Sequence, residues 1–535
     1  MPDVPMLDVL IIGGGIVGCG AARDAAMRGL KVGLIEASDI ASGTSSRSSK
    51  LVHGGLRYLE QGEFSLVFEA VSERRVLMDI APHLVTPLGF VFPVYKRSRR
   101  GVFTVNLGMW LYDGLSLFRS PKIHRNLSKK EIAKEEPALD NTDLKGAPLY
   151  YDCATDDARL TLENALDAKA EGAEIHTWTK MVGFRRDPAG RVSGARVRDM
   201  ITGIERDIDA RVIINATGPW TDSVRGGPKP LLRTTKGVHI VVEHSRVPVN
   251  NAVVCFHPTD GRVLFAIPWA DRTYIGTTDT DYVGDPADVA ADAADVRYLL
   301  DAANVYFPAS QLTTADVLST WAGLRPLINA EGSESSVSRE HEILVGSDGL
   351  ITIAGGKLTT YRKMSKEVVD RAVALLRLTA PAQDFREAHT ARKPLPGAVG
   401  WPEDDNVERV IRQIQDAGPV DEPTARLFAR TYGMRGIEVA ASIRANPELG
   451  TALIEGRPER LAQVDFAVAH ELARTVRDVM IRRTQLYFRD HDQGLGATDR
   501  VADRMATLCG WDEARRTTEV LAWQAEVAQS RAWRA

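Results

Sequence analysis

Cysteine is scarce, with four residues in 535, at positions 19, 153, 255 and 509, and no CxxC pairing. Such spacing excludes a disulfide framework, gives a zinc ion no paired ligands, and suits a reducing compartment. An excess of one charge is missing too. Lys and Arg total 67 against 71 Asp and Glu, a net charge of −4, so the whole chain has no attraction for nucleic acid or anionic lipid. No apolar run approaches the ~20 residues of a membrane-spanning helix, which leaves only peripheral membrane contact. The opening MPDVPM has no basic region, and glycines break the apolar run behind it, so it does not read as a signal peptide. Repeats and low-complexity tracts are also lacking. A cytoplasmic globular protein is expected, with more than one domain, because single cores seldom exceed ~250–300 residues.

What is present starts at the N-terminus. DVLII reads as a strand, GGGIVG as a turn, CGAARDAAMR as a helix closed by Gly29, and KVGLIE as a second strand ending at Glu36. This order makes a βαβ unit of a parallel sheet. Gly13, Gly15 and Gly18 form G-x-G-x-x-G in that unit, with Glu36 near the spacing of ~20 residues that a dinucleotide fingerprint requires. The first glycine makes the turn, the second admits a pyrophosphate, and the third lets helix and strand approach. The helix N-terminus faces the anion, and Glu36 accepts from a ribose diol. An acidic residue there repels the 2′-phosphate of NADP but does not separate NAD from FAD.

Two later strands run into glycine turns, NATGPW at Gly218 and AGGK at Gly355 and Gly356. FAD is long enough to touch several strand ends, and these turns would bring backbone N–H groups to it. GVHIVVE, RVLFAIPWA and RTYIGTTDT lie between them as a β-rich insertion. That arrangement favours FAD, in a discontinuous binding domain of residues 1–80, 150–235 and 320–378. A substrate-binding cap would then cover 81–149 and 236–319. ARKPLPGAVGWPEDD reads as a hinge, and the chain turns helical after it, as in VDFAVAHELARTVRDVMIRRTQLYF, giving a C-terminal helical domain at 395–535.

Behind Glu36, TSSRSSKLVHGGLRYL crowds hydroxyls, cations and two glycines together. Thr44, Ser45, Ser46, Ser48 and Ser49 can donate to phosphate or ribityl oxygens, with Lys50 adding charge. Gly54 and Gly55 permit close backbone approach, and Arg57 and Tyr58 set an anion fork beside a phenolic donor. Arg325 in WAGLRPL needs an anionic or carbonyl partner in its apolar setting. Arg339 and Lys357 are further cations, Arg339 being open to a plain surface ion pair. A lone strand histidine such as His239, in KGVHIVV, is more often structural than catalytic, and His53 is read the same way. KRSRRGVFTVNLGMWLYDGLSLFR sets four cations before an apolar stretch with Trp110, Tyr112 and Phe118. It suits either a lipid interface or a buried helix at the domain junction. Arg482 and Arg483 suit a solvated helix face or a domain contact.

These segments together resemble the FAD-dependent, aerobic respiratory glycerol-3-phosphate dehydrogenases over nearly the whole chain. TSSRSSKLVHGGLRYL and GGKLTTYRKMS are the most specific pieces, with ATGPW, KGVHIVV, IPWADRTYIGTTDTDY and WAGLRPL in support. The resemblance implies an α/β, Rossmann-like FAD-binding fold of the D-amino-acid-oxidase and glutathione-reductase type. A β-rich substrate domain and a C-terminal α-helical domain complete it. It implies oxidation of sn-glycerol 3-phosphate to dihydroxyacetone phosphate, with electrons passed to a membrane quinone by a peripheral protein on the cytoplasmic face of the inner membrane. Arg57, Tyr58, Arg325, Arg339, Lys357 and Thr360 would surround the substrate, and His239 would lie at its reacting end. A neutral imidazole suits the base that takes the hydroxyl proton, and the permanently charged Arg325 suits stabilising an alkoxide. The rivals are a glycerol-3-phosphate oxidase making hydrogen peroxide and an amine or amino-acid oxidase. Four candidate anion-binding cations disfavour the second. A tRNA-modifying flavoprotein would need a basic face. No metal is called for, and a homodimer is one open assembly state.

Overall fold

The computed structural model describes residues 6–55, 62–96, 98, 101–116, 122–227, 229–329, 341–379 and 383–535. The N-terminal strand Leu7–Ile12 is buried along its length and pairs in parallel with Val32–Ile35 on one side and Glu205–Asn215 on the other. Glu174–His176 and Ile351–Gly355 extend this parallel sheet at either end. Two of the strands that run into glycine turns, Glu205–Asn215 and Ile351–Gly355, are thus neighbours in space. Helices Ile16–Met27, Asp157–Ala170 and Tyr361–Thr379 pack together on the sheet. Alanines at 21, 22, 25 and 26 let them approach closely, and all four are buried.

A second sheet is mostly antiparallel. Its long strand Leu232–Glu243 pairs with Arg272–Gly276 and, from Leu232↔Ile328 to Val241↔Ser319, with Ser319–Ile328. Val263–Trp269, Ala252–Phe256, Thr86–Val91 and Leu144–Ala154 continue it. The boundaries expected at 150, 235 and 320 therefore fall inside strands of this sheet. Backbone ladders carry the second sheet across those positions, and composition does not mark where a ladder ends.

The Pro/Gly-rich segment expected as a hinge is fastened down. Leu395 N–H donates to Ile80 O at 2.8 Å, and Gly397 N–H donates to Glu163 Oε2 at 3.0 Å. Beyond it the helices Val407–Ala417, Glu422–Tyr432 and Gly436–Ala445 pack on one another. The helical segment expected over VDFAVAHELARTVRDVMIRRTQLYF consists of several short helical pieces. Ala462–His470 is helical, Leu472 takes φ +63°, and a new turn starts from a capping box between Thr475 and Asp478. A π-helical turn at Val479–Arg483 follows. Leu472 in the left-handed region cannot continue an α-helix.

Candidate functional site

The first glycine turn has the geometry its spacing requires. Gly13 has φ +110°, and a Cβ there would lie 2.6 Å from Ala216 O. A Cβ on Gly18 would come within 1.9 Å of Gly13 O, so the third glycine serves helix–strand contact and stands away from any ligand. Over Gly15 the space is open apart from Ser45 Oγ, which accepts the Ile16 N–H at 2.9 Å and so caps the helix N-terminus. Glu36 accepts from Gly14 N–H at 2.7 Å, Ser38 N–H at 2.9 Å and Ser42 Oγ at 3.2 Å. Burial raises its carboxyl pKa, against the pull of these donors.

A continuous cavity of about 1100 Å³ runs from this turn to the second sheet, past Gly13, Gly15, Glu36, Thr44, Ser45, Ser49, Gly218, Gly355 and Gly356. Its size reaches the top of the ~300–1,000 Å³ range of small-molecule pockets. Gly218, Gly355 and Gly356 all have positive φ, which brings bare backbone to the wall. Beyond Glu36 the wall is apolar, formed by Met181, Phe184, Met200 and Val224, and suits a flat ring. Sequence reasoning missed that pocket, whose only signal was the strand segment TKMVGF, where Thr179 and Lys180 look like any strand surface. A long groove with a helix N-terminus at its middle, an acid fixed for a diol and a ring slot beyond it fits FAD.

At the opposite end His239, Arg325 and Lys357 share the wall with His53 and Thr277. His239 Nε2 lies 2.9 Å from Ser49 Oγ, and its ring stacks on Trp321 at 4.7 Å and 12°. Nδ1 is buried with no hydrogen-bond partner among the described residues. Burial, then the charges of Arg325 and Lys50, hold its pKa well below the usual imidazole value, so the ring is neutral. Arg325 is partly exposed to the cavity and anchored by Asp279 Oδ1 at 2.9 Å and Thr277 Oγ1 at 3.2 Å. Neither anchor stood out in the sequence. Thr359 Oγ1 bridges to the His53 backbone at 3.1–3.2 Å and ties the Lys357 turn to the HGG segment.

Several of the side chains expected at the ligands have protein partners of their own. Lys50 is buried with φ +52°, its Nζ on Asp157 Oδ1 at 2.6 Å and amid the rings of Trp269, Trp321 and Phe488. It neutralises a buried carboxylate and does not face the groove. Ser46 is buried behind the loop and gives its carbonyl to Lys50. Thr360 is turned inward, 3.8 Å from Met364 Sδ. Thr44 lines the groove but donates to Leu324 O at 2.8 Å. Gly54 makes its close approach to Tyr112, which accepts its N–H at 3.0 Å. Arg57, Tyr58 and Arg339 lie outside the described residues.

The stretch with two readings contains the helix Val102–Leu115, which has one buried and one exposed face. Val105, Met109 and Tyr112 face inward, whereas Phe103, Leu107, Trp110 and Leu111 are exposed, Phe103 to 81%. The adjoining helix Phe64–Ile80 adds exposed Phe64 and Phe68. Lys96 pairs with Asp143, and Arg97, Arg99, Arg100 and Phe118 lie outside the described residues. Among the described residues no helix is long and apolar enough to cross a membrane. Arg482 and Arg483 are fully buried at a domain contact.

Residues 8–362 match the family described as FAD dependent oxidoreductase, and residues 388–516 match the C-terminal domain of alpha-glycerophosphate oxidase. The chain is 40% identical over 516 residues to the aerobic glycerol-3-phosphate dehydrogenase of Staphylococcus saprophyticus, covering 94% of this chain and 91% of that protein. For the protein of the same name in Staphylococcus aureus the identity is 38% over 533 residues, covering 98% and 94%. Among solved structures, the glycerol-3-phosphate dehydrogenase of Bacillus halodurans complexed with FAD aligns with a TM-score of 0.81 at 34% identity, over 99% of this chain and 96% of that one. The FAD-bound L-alpha-glycerophosphate oxidase of Mycoplasma pneumoniae shares the fold, with a TM-score of 0.54 at 18% identity, over 74% of this chain and all of that one.

Proposed function

The chain belongs to the FAD-dependent oxidoreductase family, and from that premise we propose that it oxidises sn-glycerol 3-phosphate at C2 to dihydroxyacetone phosphate, with electrons going on to a membrane quinone. The observation that carries this reading is the far end of the groove, where two cations and a neutral histidine converge. A triose phosphate offers little apolar area, so its affinity must come from forked cations on the phosphate. Arg325 and Lys357 supply part of that set, and Arg57, Tyr58 and Arg339 are expected to complete it by their motifs.

FAD, when bound, supplies the acceptor for the hydride leaving C2. The chain would hold it by the Ile16 helix N-terminus at the pyrophosphate, Glu36 at the ribose, Thr44 and Ser45 along the loop, and the bare backbone at Gly218, Gly355 and Gly356. His239 is the proton acceptor in this reading. Its Nδ1 is turned away from the groove and its Nε2 is engaged with Ser49 Oγ, so the hydroxyl proton reaches Nε2 through Ser49. Arg325, aimed by Asp279 and Thr277, steadies the negative charge left on the oxygen. The exposed face of Phe103, Leu107, Trp110 and Leu111, with Phe64 and Phe68 beside it, supports peripheral seating on the cytoplasmic leaflet, where a quinone is reached.

Anaerobic mixing with glycerol 3-phosphate tests the reading directly. Bleaching of the flavin band is expected, and its absence ends the proposal. Because residues 388–516 match a domain named for an oxidase, oxygen stands as the alternative acceptor. Faster reoxidation by a soluble quinone analogue than by oxygen is the expected result.

A further inference from the structure

Asp39 sits in the loop that shapes the cofactor groove, yet it faces away from the groove. Ser38 and Ser42, on either side of it, give Glu36 two of its three donors. Ser42 N–H also donates to Asp39 O at 3.1 Å, so the carboxylate and the two serines move as one turn. The Asp39 side chain is fully enclosed. It accepts from Arg482 Nε at 2.5 Å and from both Arg483 Nη atoms at 2.8 Å. Burial acts to raise its pKa, and the two arginines overcome that and hold it ionised.

Both arginines come from the π-helical turn Val479–Arg483 of the C-terminal domain. The turn points two successive side chains at one carboxylate; π-turns are often found at functional positions. A second strand of contacts runs alongside. Arg482 Nη2 donates to Asp478 Oδ1 at 3.1 Å, Trp178 Nε1 donates to Asp478 Oδ2 at 3.1 Å, and Trp178 N–H donates to Ser38 O at 2.7 Å. Arg483 is itself fixed by Glu471 O at 2.7 Å. The domain thus grips the loop directly at Asp39 and, through Trp178, at Ser38, while neither arginine lines the main groove.

We propose that the C-terminal helical domain retains the cofactor: Arg482 and Arg483, acting on Asp39, hold the Glu36–Ser45 loop in the shape that receives the adenosine half of FAD. They are positioning residues, since they touch no part of the groove, and the inference rests on the placement of FAD given above. Without both guanidinium groups, an ionised Asp39 would be buried and unpaired, which strongly favours opening of the turn. Opening would release Ser38 and Ser42 from Glu36.

The test uses the full-length holoprotein and reads release of FAD by the rise in flavin fluorescence, beside the thermal midpoint of the FAD-free protein. Asp39→Asn and the milder Arg483→Lys, which keeps charge but loses the fork, are compared with Arg272→Lys. Arg272 is likewise buried and crosses to the C-terminal domain, its Nε donating to Arg489 O at 2.8 Å, away from the Asp39 cluster. The expected result is an FAD dissociation constant at least about tenfold higher for Asp39→Asn and Arg483→Lys, and within about twofold of wild type for Arg272→Lys. Equal weakening in all three, or unchanged FAD affinity in both loop variants, overturns the proposal. Glu36→Gln distinguishes the premise: if it leaves FAD affinity unchanged, the placement of the cofactor is what has failed.

Discussion

The two ends of the groove are built from different material. Around Gly13 and Gly218 the wall is backbone, and its chemistry is the N–H groups that a tight turn exposes. Around His239, Arg325 and Lys357 the wall is side chains, with the histidine aimed by Ser49 and the arginine by Asp279 and Thr277. At Gly13 and Gly18 an added Cβ meets another chain segment, and at Gly218 the positive φ strains any residue but glycine. A side-chain site tolerates substitution sterically and loses function by degrees. The difference predicts all-or-none failure at one end and graded failure at the other.

The largest effect is expected at Gly18, where a Cβ would fall 1.9 Å from Gly13 O. Gly18→Val must push the helix off the strand, at a cost of about 3 kcal/mol or more. The purified protein is expected to be colourless, with no flavin band, while Asp39 and Arg483 variants still carry some. A yellow Gly18→Val protein would break the contrast between the two ends.

This division also decides what the sequence discloses. Backbone sites are written as glycines at fixed spacing between a strand and a helix, so Gly13, Gly15 and Glu36 are legible without a structure. The apolar ring slot of Met181, Phe184 and Met200 is not, because its residue types look like any half-buried hairpin. Lys50 and Ser46 mislead for a related reason. Composition registers a hydroxyl or a cation but not its direction, and Lys50 is drawn inward by Asp157, 107 positions away in the chain. Arg482 and Arg483 read as helix surface or domain contact, and the choice is made only by Asp39, more than 440 positions earlier, which accepts from both. The second sheet's extent was hidden likewise, since the pairing of Ser319–Ile328 with Leu232–Glu243 is settled by a ladder and not by local pattern.

At the side-chain end, His239→Asn removes the proton acceptor and keeps a polar group of similar size. Flavin should remain bound, and the rate of its reduction by glycerol 3-phosphate should fall by ~10²–10⁴-fold. The wild-type pH profile sharpens the point. Burial, Arg325 and Lys50 depress the His239 pKa, and only the unprotonated ring accepts a proton. The reduction rate at saturating substrate should therefore stay level as pH falls from about 8 to about 6.5, the ordinary imidazole value, and drop only below it. A decline centred near pH 7 would mean that another group takes the proton.

The smallest effect is expected where family motif and geometry disagree. Thr360 and Lys357 are three residues apart on one short turn, but Lys357 lines the groove and Thr360 faces Met364. Among the described residues the Thr360 hydroxyl donates to a thioether, a weak acceptor, so Thr360→Val gives up only a weak hydrogen bond. Stability should change by less than about 1.5 kcal/mol and KM for glycerol 3-phosphate by no more than about twofold. Lys357→Met removes a charged donor and should raise KM by about tenfold or more. If Thr360→Val raised KM as far as Lys357→Met, the turn would have to rotate when substrate binds, and the side-chain end would be remade by its ligand instead of waiting for it.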